Sequence, residues 1–242
     1  MRYGFFSDVH ANEEALRAAI KDFKKENLAK VFFLGDAVGY GPSPNECVSL
    51  IDEITDIKIM GNHDYAALGL IETDLFNHFA QESMEWTMGQ LNDKSRKIMA
   101  EFVLDYRFRL FHLVHSTPRE PQNWYYLLDL DEAEDNFPYF SKQVCLIGHS
   151  HRPAIIKKYQ DRHCFLFEEE ETIIETGFKY IINIGSIGQP RDGTSKGCYL
   201  IYDTKGKLAK LKRVEYDVEK TQAKMRKMEL PQYLIDRLSV GR

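Results

Sequence analysis

The sequence predicts an α/β fold that begins with parallel strands and has helices packed on the faces of its sheet. The first 60 residues read as two successive strand–helix–strand units, and strands that are joined through a crossover helix run parallel in one sheet. The second half of the chain is rich in short β-type segments. Five apolar runs end in short polar clusters, and α/β sheets bind ligands at the carboxyl ends of such strands.

The first unit starts with a strand at Tyr3–Ser7. Asn12 is expected to cap a helix, because its side chain can accept from the free N–H groups of the first turn. Apolar residues then recur at helical spacing, as at Ala15 and Ala19. A second strand is expected at Val31–Leu34.

The second unit adds a helix and a third strand. Proline is favoured at the first position of a helix, so we expect a helix from Pro44 to about Asp52 with Ser43 as its cap. The third strand is expected at Ile57–Met60. The three strands then lie parallel in one sheet.

Residues 65–103 predict a helical insertion. Three segments read as helices with no strong strand between them: Tyr65–Leu70, Phe79–Leu91 and Asp93–Val103. The insertion directly follows a polar cluster at Gly61–Asp64, so we expect it to wall the ligand pocket or to cover it as a lid.

The second half of the chain is predicted to be mainly β-structure. Candidate strands lie at Leu110–Val114, Val144–Ile147, Cys164–Phe167, Thr172–Thr176, Tyr180–Ile184, Cys198–Asp203 and Leu208–Val214. The acidic run Glu168–Glu171 reads as a solvated turn. A C-terminal helical tail is expected within residues 215–242, interrupted near Pro231. We expect residues 1–242 to form a single domain.

Composition indicates a cytoplasmic protein. Hydrophobic residues make up 43% of the 242 residues and charged residues 29%, as is ordinary for a globular chain. No signal-peptide pattern opens the sequence, and no apolar stretch reaches the ~20 residues of a membrane span. The four cysteines show no CxxC spacing and read as free thiols. The net charge of −5 gives no global attraction for nucleic acid or membrane, so we expect neither partner.

The five polar clusters carry oxygen and imidazole groups and no thiolate. They are Asp8-Val9-His10, Gly35-Asp36, Gly61-Asn62-His63-Asp64, His115-Ser116-Thr117-Pro118 and Gly148-His149-Ser150-His151. Each cluster alone is equally typical of a turn or a helix cap. Together they predict a shared metal site. This mixture of ligands suits Mn, Fe or Zn better than Ca²⁺.

Two spacings add detail to this site. Asp8 and His10 are two residues apart, so in extended backbone their side chains point the same way and can grip one cation. Asp36 has two carboxylate oxygens and can bridge two ions. In the third cluster, His63 is placed to donate to a phosphoryl oxygen or a leaving group, with Asp64 holding its imidazole.

In this order, the clusters resemble the motifs of the calcineurin-like metallophosphoesterase superfamily: D-x-H, G-D, G-N-H-D or G-N-H-E, a lone H, and G-H-x-H. All five motifs occur here, within residues 8–151. The segment Asn183–Arg191 is also similar to the N-x-G-S-x-G-x-P-R segment of compact bacterial and archaeal members, a group that includes small phosphodiesterases.

The resemblance implies a four-layer α/β/β/α sandwich of two facing mixed sheets flanked by helices. It also implies two divalent metal ions, with Mn²⁺ the first choice and Fe, Zn, Ni or Co compatible with the same ligands. By position, the ligands are Asp8, His10 and His151 for one ion, Asn62, His115 and His149 for the other, and Asp36 for both.

The activity implied is hydrolysis of a phosphodiester or phosphomonoester by in-line attack of a metal-bridging hydroxide. His63 would assist the leaving group, and Asp64 would orient His63. We expect Asn62, His63, Tyr40 and Arg191 to contact a small phosphorylated substrate, for which a nucleotide is one candidate.

Three alternatives stay open at this stage. A serine/threonine protein phosphatase and a dinucleoside polyphosphate hydrolase would use the same ligands. A non-catalytic binding or scaffold protein on the same fold is an alternative of another class. A homo-oligomer is also compatible with the sequence.

Overall fold

Two six-stranded β-sheets form the centre of the computed structural model, which describes residues 1–74 and 76–242. The first sheet contains β1 (Arg2–Phe6), β2 (Lys30–Phe33), β3 (Ile57–Lys58), β9 (Glu171–Ile173), β11 (Gly197–Asp203) and β12 (Leu208–Val214). The second contains β4 (Asp105–Phe108), β5 (Phe111–Val114), β6 (Val144–Ile147), β7 (Ala154–Tyr159), β8 (Phe165–Phe167) and β10 (Phe178–Asn183).

Both sheets are mixed. The order in the first is β3-β2-β1-β11-β12-β9, in which β1, β2 and β3 run parallel and the other pairs are antiparallel. The order in the second is β4-β5-β6-β10-β7-β8, with β5, β6 and β10 parallel. The strands that precede the polar clusters therefore belong to the parallel part of each sheet.

Helices flank the sheets. They are α1 (Glu13–Lys25), α2 (Pro44–Ile54), α3 (Asn62–Ala67), α4 (His78–Gln90), α5 (Asp93–Met99), α6 (Leu130–Asn136), α7 (Val218–Lys227) and α8 (Gln232–Val240). Helices α1 and α2 pack on the outer face of the first sheet, and α6 packs on the outer face of the second. The predicted four-layer α/β/β/α arrangement is confirmed.

Aromatic side chains fill the space between the two sheets. Phe5 of β1 stacks on Phe32 of β2 with ring centroids 4.9 Å apart, and Phe111 of the second sheet lies 4.9 Å from Phe5. Side chains alternate along a strand, so the next residue, Phe6, faces α1 and meets Phe23 at 5.5 Å. Burial of each ring contributes about 1.5–3 kcal/mol.

The third polar cluster lies inside a helix, which corrects the predicted boundaries of the insertion. The helix expected at Tyr65–Leu70 is α3, which begins three residues earlier at Asn62. Its start is fixed by Asp36, whose Oδ1 accepts from the backbone N–H of His63 at 2.9 Å. The preceding strand is correspondingly short, and the helix expected to reach Val103 ends at Met99.

Three elements were not predicted. Strands β4 and β7 and helix α6 carry many charged residues and lack a clear apolar period. In β7 the aliphatic part of a lysine side chain takes the place of an apolar residue. Lys157 is buried, and its ammonium lies 3.6 Å from the ring centroid of Phe167. The acidic run was also partly misread, because Glu171 is the first residue of β9.

The C-terminal helical tail docks beside the polar clusters. Helix α7 packs against α1, where Lys224 pairs with Glu13 and Glu14 at 2.7 Å. Helix α8 meets the insertion through stacked rings of Phe79 and Tyr233, 4.9 Å apart. None of the helices in residues 1–74 and 76–242 combines the length and apolar character that a membrane span needs.

Candidate metal centre

The structure brings the five polar clusters together at one edge of the two sheets. The clusters follow β1, β2, β3, β5 and β6, the parallel strands on which the prediction was based. All seven expected ligands are buried there: Asp8, His10, Asp36, Asn62, His115, His149 and His151. Six of them, all except Asn62, form overlapping groups of potential metal ligands: Asp8, His10 and His151 in one, Asp36, His115 and His149 in another, and His10 and Asp36 with His63 between these two.

The backbone of the site is strained. Asp8, His10, Asp36, His149 and His151 all have left-handed backbone, with φ between 48° and 66°. Non-glycine residues in this region each cost on the order of 1–3 kcal/mol, and such strain clusters at functional sites. The surrounding fold therefore holds these five residues in a strained backbone conformation, and in that conformation their side chains lie close together.

Asp8, His10 and His151 form the first group. Nδ1 of His10 donates to the carbonyl of Val38 at 3.1 Å, and Nδ1 of His151 donates to the carbonyl of Gln189 at 2.6 Å. A carbonyl can only accept, so each Nε2 carries a lone pair when the ring is neutral. These two Nε2 atoms lie 3.0 Å apart, and Oδ1 of Asp8 lies 3.2 Å from Nε2 of His151.

The two facing nitrogens indicate a cation site. Burial lowers the pKa of His10 well below its ordinary value and also lowers the pKa of His151, so both rings are neutral at pH 7. Two lone pairs at 3.0 Å repel each other unless a cation accepts both. The carboxylate of Asp8 supplies the negative charge that such a cation needs.

Asp36, His115 and His149 form the second group, next to Asn62. Nδ1 of His115 donates to the carbonyl of Leu34 at 2.8 Å. Its other ring nitrogen, Nε2, lies 3.2 Å from Oδ2 of Asp36, but the two atoms are not aligned for a hydrogen bond. Nε2 of His149 contacts the carbonyl of Trp124 at 2.9 Å, so its Nδ1 is the nitrogen left for a metal. Oδ1 of Asn62 is buried with no hydrogen-bond partner.

Asp36 lies between the two groups, and a single oxygen faces both. Its Oδ2 is 3.6 Å from Nε2 of His10 and 3.2 Å from Nε2 of His115. Its Oδ1 is engaged by the backbone N–H of His63. The expectation that Asp36 uses its two separate oxygens for two ions is thus refined, because Oδ2 alone is placed to reach both.

The negative charge of Asp36 and the positive charge of His115 stabilise each other. Burial opposes ionisation of Asp36, but His115 and His63 hold the pKa of this carboxyl well below its usual range. Burial likewise opposes a charge on His115, but Asp36 raises the pKa of His115 to about 9. A proton therefore occupies His115 when no cation is bound. Metal binding at this nitrogen has to release that proton.

Asp64 does not hold the imidazole of His63, which corrects the role predicted for it. Its oxygens accept from the backbone N–H groups of Asp36 and Ala37 at 2.8 Å and of Gly61 at 3.1 Å. Burial and the nearby Asp36 carboxylate raise the pKa of Asp64 to about 7, and the N–H groups oppose this rise. The carboxyl group of Asp64 keeps lone pairs that can accept these three hydrogen bonds whether it is neutral or ionised. Asp64 thus fixes the loop that carries Asp36.

His63 reaches the same centre from the first turn of α3. Its ring centroid lies 4.8 Å from that of His10 and 4.5 Å from that of Tyr40, and its Nδ1 is buried without a hydrogen-bond partner. Burial lowers the pKa of His63 to about 4. The ring thus stands beside the metal groups and lines the cavity in front of them.

Close packing at the site requires glycine at two positions. A Cβ at Gly61 would lie 2.1 Å from Oδ1 of Asp36, and a Cβ at Gly148 would lie 2.4 Å from Oδ2 of Asp8. Both distances are far below a normal contact. The glycines in these clusters therefore allow the ligand loops to approach one another.

The segment Asn183–Arg191 supports the ligand loops from behind. Nδ2 of Asn183 donates to the carbonyl of Gly148 at 2.7 Å, and Oγ of Ser186 donates to the carbonyl of Asp8 at 2.8 Å. The carbonyl of Gln189 is the partner of His151. The segment was matched to a motif, but its support of the ligand loops was not predicted, because a sequence does not show which side chain a backbone carbonyl contacts.

A cavity of about 850 Å³ opens in front of the ligands. Asn62, His63 and Tyr40 line it, as expected of substrate contacts. Arg191 does not line it. The guanidinium of Arg191 lies 5.7 Å from the Tyr40 ring centroid and donates to Oε1 of Gln189, so its contact with a substrate stays a prediction.

Sequence analysis missed most of the aromatic wall of this cavity, which contains Phe76, Trp124, Tyr125 and Tyr126. The run of three aromatic residues at 124–126 was the available signal. The insertion contributes Ile71, Glu72, Phe76, Asn77 and Ala80, which supports its expected role as a wall of the pocket.

Comparison with known proteins identifies the family of this chain. Residues 1–207 match the calcineurin-like phosphoesterase superfamily domain. An uncharacterised protein of Methanocaldococcus jannaschii is 37% identical over 240 residues, which cover 98% of this chain and 96% of that protein. The chain therefore belongs to the calcineurin-like phosphoesterase superfamily.

Solved structures show the same fold. The crystal structure of a metallophosphoesterase from Sphaerobacter thermophilus has a TM-score of 0.87 and 35% identity, covering 100% of this chain and 99% of that one. A hypothetical protein from Pyrococcus horikoshii has a TM-score of 0.79 over 100% of this chain and 98% of that one, at 18% identity. The whole chain, including the C-terminal tail, thus has counterparts in these structures.

Proposed function

We propose that the protein is a two-metal phosphoesterase that hydrolyses a phosphodiester or phosphomonoester by in-line attack of hydroxide. The observation that carries this proposal is the position of Asp36 Oδ2 between two groups of buried, inward-facing ligand atoms. Two cations bound there would supply an activated water and neutralise charge on the phosphoryl oxygens. Membership of the phosphoesterase superfamily supports the same chemistry.

The side chains of this protein prepare the site for that reaction. Backbone carbonyls orient all four ligand imidazoles, and such outer contacts typically change metal affinity or activity by about 10–100-fold. Asn62 and His63 line the cavity, which supports the proposal that they contact a phosphoryl group held beside the ligands. Tyr40 packs on His63 and limits the rotation of its ring.

Metal identity, substrate class and location extend the proposal. The nitrogen and oxygen ligand set favours Mn²⁺, with Fe, Zn, Ni or Co as further choices. The substrate is proposed to be a small phosphorylated molecule, since the cavity holds about 850 Å³. We propose that the protein works in the cytoplasm, as its four free cysteines suggest.

A substrate panel on metal-defined protein tests this function. Protein loaded with Mn²⁺ is expected to hydrolyse bis-p-nitrophenyl phosphate or p-nitrophenyl phosphate. A phosphopeptide and a dinucleoside polyphosphate test the protein phosphatase and polyphosphate hydrolase alternatives. Fewer than two ions per chain after loading, together with no turnover of any substrate, would instead support the non-catalytic binding role.

Replacement of His63 tests assistance to the leaving group. The negative charge of a bound phosphoester has to raise the pKa of His63 from about 4 before the ring can donate a proton. His63→Gln is then expected to lower kcat by about 10²-fold on a substrate with an alkoxide leaving group, because general acid catalysis contributes at least this much. The loss should be smaller with p-nitrophenolate, which leaves without a proton. Steady-state kinetics on both substrates measure the difference. Equal losses on the two substrates would contradict this role for His63.

A further inference from the structure

One wall of the cavity is a short loop with three consecutive aromatic residues, Trp124-Tyr125-Tyr126. Tyr125 is 49% exposed and Tyr126 is 47% exposed, although both are large rings. Exposed aromatic rings beside a polar site commonly mark a surface that binds a ligand. The loop connects β5 of the second sheet to α6, which packs on that sheet.

The loop is joined directly to the metal centre. The carbonyl of Trp124 contacts Nε2 of His149 at 2.9 Å. The ring of Tyr126 stacks on the imidazole of His149, with centroids 4.1 Å apart and an interplanar angle of 20°. A planar group that extends this stack would lie within reach of a phosphoryl group bound at the ligands. Tyr126 thus sets the distance between an aromatic subsite and the reacting centre.

The loop is also fixed in place before any substrate binds. Glu120 and Trp124 have left-handed backbone, with φ of 48° and 55°. The backbone N–H of Asn123 donates to the carbonyl of Glu120 at 2.9 Å, and Oγ of Ser116 donates to the carbonyl of Pro121 at 3.1 Å. A rigid aromatic surface loses little entropy when a ligand stacks on it.

The charge of the cavity limits what the ligand carries. Its polar lining, apart from the metal-centre residues, consists of the amides of Asn77, Gln122 and Asn123, the phenol groups and the carboxylate of Glu72. No lysine or arginine lines it in the described part of the chain. Further phosphate groups on this wall would meet Glu72, and the guanidinium of Arg191, 5.7 Å from the Tyr40 ring centroid, is not part of the lining. The amides can instead pair with the polar edge of a neutral ring.

We propose that this cavity binds a planar, uncharged aromatic ring on the alcohol side of the phosphoester, stacked on Tyr126. The substrate class is therefore an ester whose leaving alcohol carries such a ring, supplied either by a nucleoside or by a simple aryl alcohol. This inference rests on the proposed phosphoesterase activity. It disfavours substrates with several further phosphates, such as dinucleoside polyphosphates.

Matched substrates test the ring requirement. Adenosine 5′-monophosphate and ribose 5-phosphate share a primary phosphate ester and differ in the base, and benzyl and ethyl phosphate make the same comparison for a simple aryl alcohol. Their methyl diesters serve if only diesters are hydrolysed. The ring-bearing member of at least one pair is expected to have a kcat/KM about 5- to 100-fold higher, as base stacking usually gives. The pair with the larger ratio identifies the source of the ring.

Variants assign that preference to Tyr126. Tyr126→Ala is expected to remove most of the ratio through KM, and Tyr126→Phe is expected to keep it, because stacking does not need the hydroxyl. Tyr139→Ala is a matched control, since Tyr139 is equally exposed but does not line the cavity. Ratios near one in both pairs, or an equal loss with and without the ring in Tyr126→Ala, would overturn the proposal.

A binding measurement separates this proposal from the phosphoesterase activity. The chain has two tryptophans, so a Trp86→Phe background leaves only the emission of Trp124. Adenosine or benzyl alcohol is expected to quench this emission saturably on metal-loaded protein, whereas ribose and ethanol are not. Quenching without turnover of any ester would reject the proposed activity alone. Turnover without quenching and without a substrate preference would reject the aromatic subsite alone.

Discussion

Asp36→Asn is expected to lower kcat/KM by on the order of 10³-fold, because several kcal/mol of charge stabilisation depend on this carboxylate. Oδ1 of Asp36 accepts from the backbone N–H of His63. In the variant, the amide oxygen keeps that bond, and the amide nitrogen takes the position of Oδ2. A group that cannot bind a cation then faces both His10 and His115, at nearly unchanged shape.

The measurement is steady-state kinetics with Mn²⁺ on the best substrate of the panel, together with the metal content of each variant. Asp161→Asn is the matched control, because it makes the same substitution in an exposed turn away from the site. It should keep wild-type rates and metal content. Turnover in Asp36→Asn within a few-fold of wild type would contradict the shared position of Asp36.

Asp64→Ala is expected to lower the free energy of unfolding by roughly 3–5 kcal/mol, because buried N–H donors that lose their acceptor cost about 1–3 kcal/mol each. The donors are the backbone N–H groups of Gly61, Asp36 and Ala37, and Asp64 is fully buried. Urea unfolding of metal-free protein measures this loss without a contribution from bound ions. Metal affinity should fall as well, since the loop that carries Asp36 is released.

Asp217→Ala provides the comparison for this stability effect. Asp217 caps α7 through a single bond to the backbone N–H of Lys220 at 2.9 Å, at an exposed position. Its replacement is expected to cost only about 1 kcal/mol and to leave metal binding unchanged. If Asp64→Ala were no more destabilising than Asp217→Ala, the role assigned to Asp64 in the loop would be wrong.

The sequence was sufficient to predict the strands that precede the site and to select the candidate ligands that the structure brings together. Runs such as Tyr3–Ser7 and Val144–Ile147 are apolar on both faces, and polar residues follow them directly. That pattern results from burial of parallel strands between two layers, and it places the following residues at one edge of the sheet. The positions of Asp8, Asp36 and His149 follow from it.

Other features depend on contacts that a sequence does not record. Asp64 follows His63 directly, but its oxygens are used by backbone N–H groups from another loop. Strand β7 was missed because its lysines are buried through packing on neighbouring rings. The stacking of Tyr126 on His149 joins residues that are 23 positions apart and separated by α6 and β6, and the loop that carries Tyr126 has no regular period. Tertiary packing decides each of these.

Anomalous diffraction from crystals soaked in Mn²⁺ shows directly whether Asp36 is shared by two metal ions. We expect two peaks per chain. One should contact Asp8, His10 and His151, the other Asn62, His115 and His149, with Oδ2 of Asp36 contacting both. A single ion, or two ions of which only one touches Asp36, would contradict this expectation.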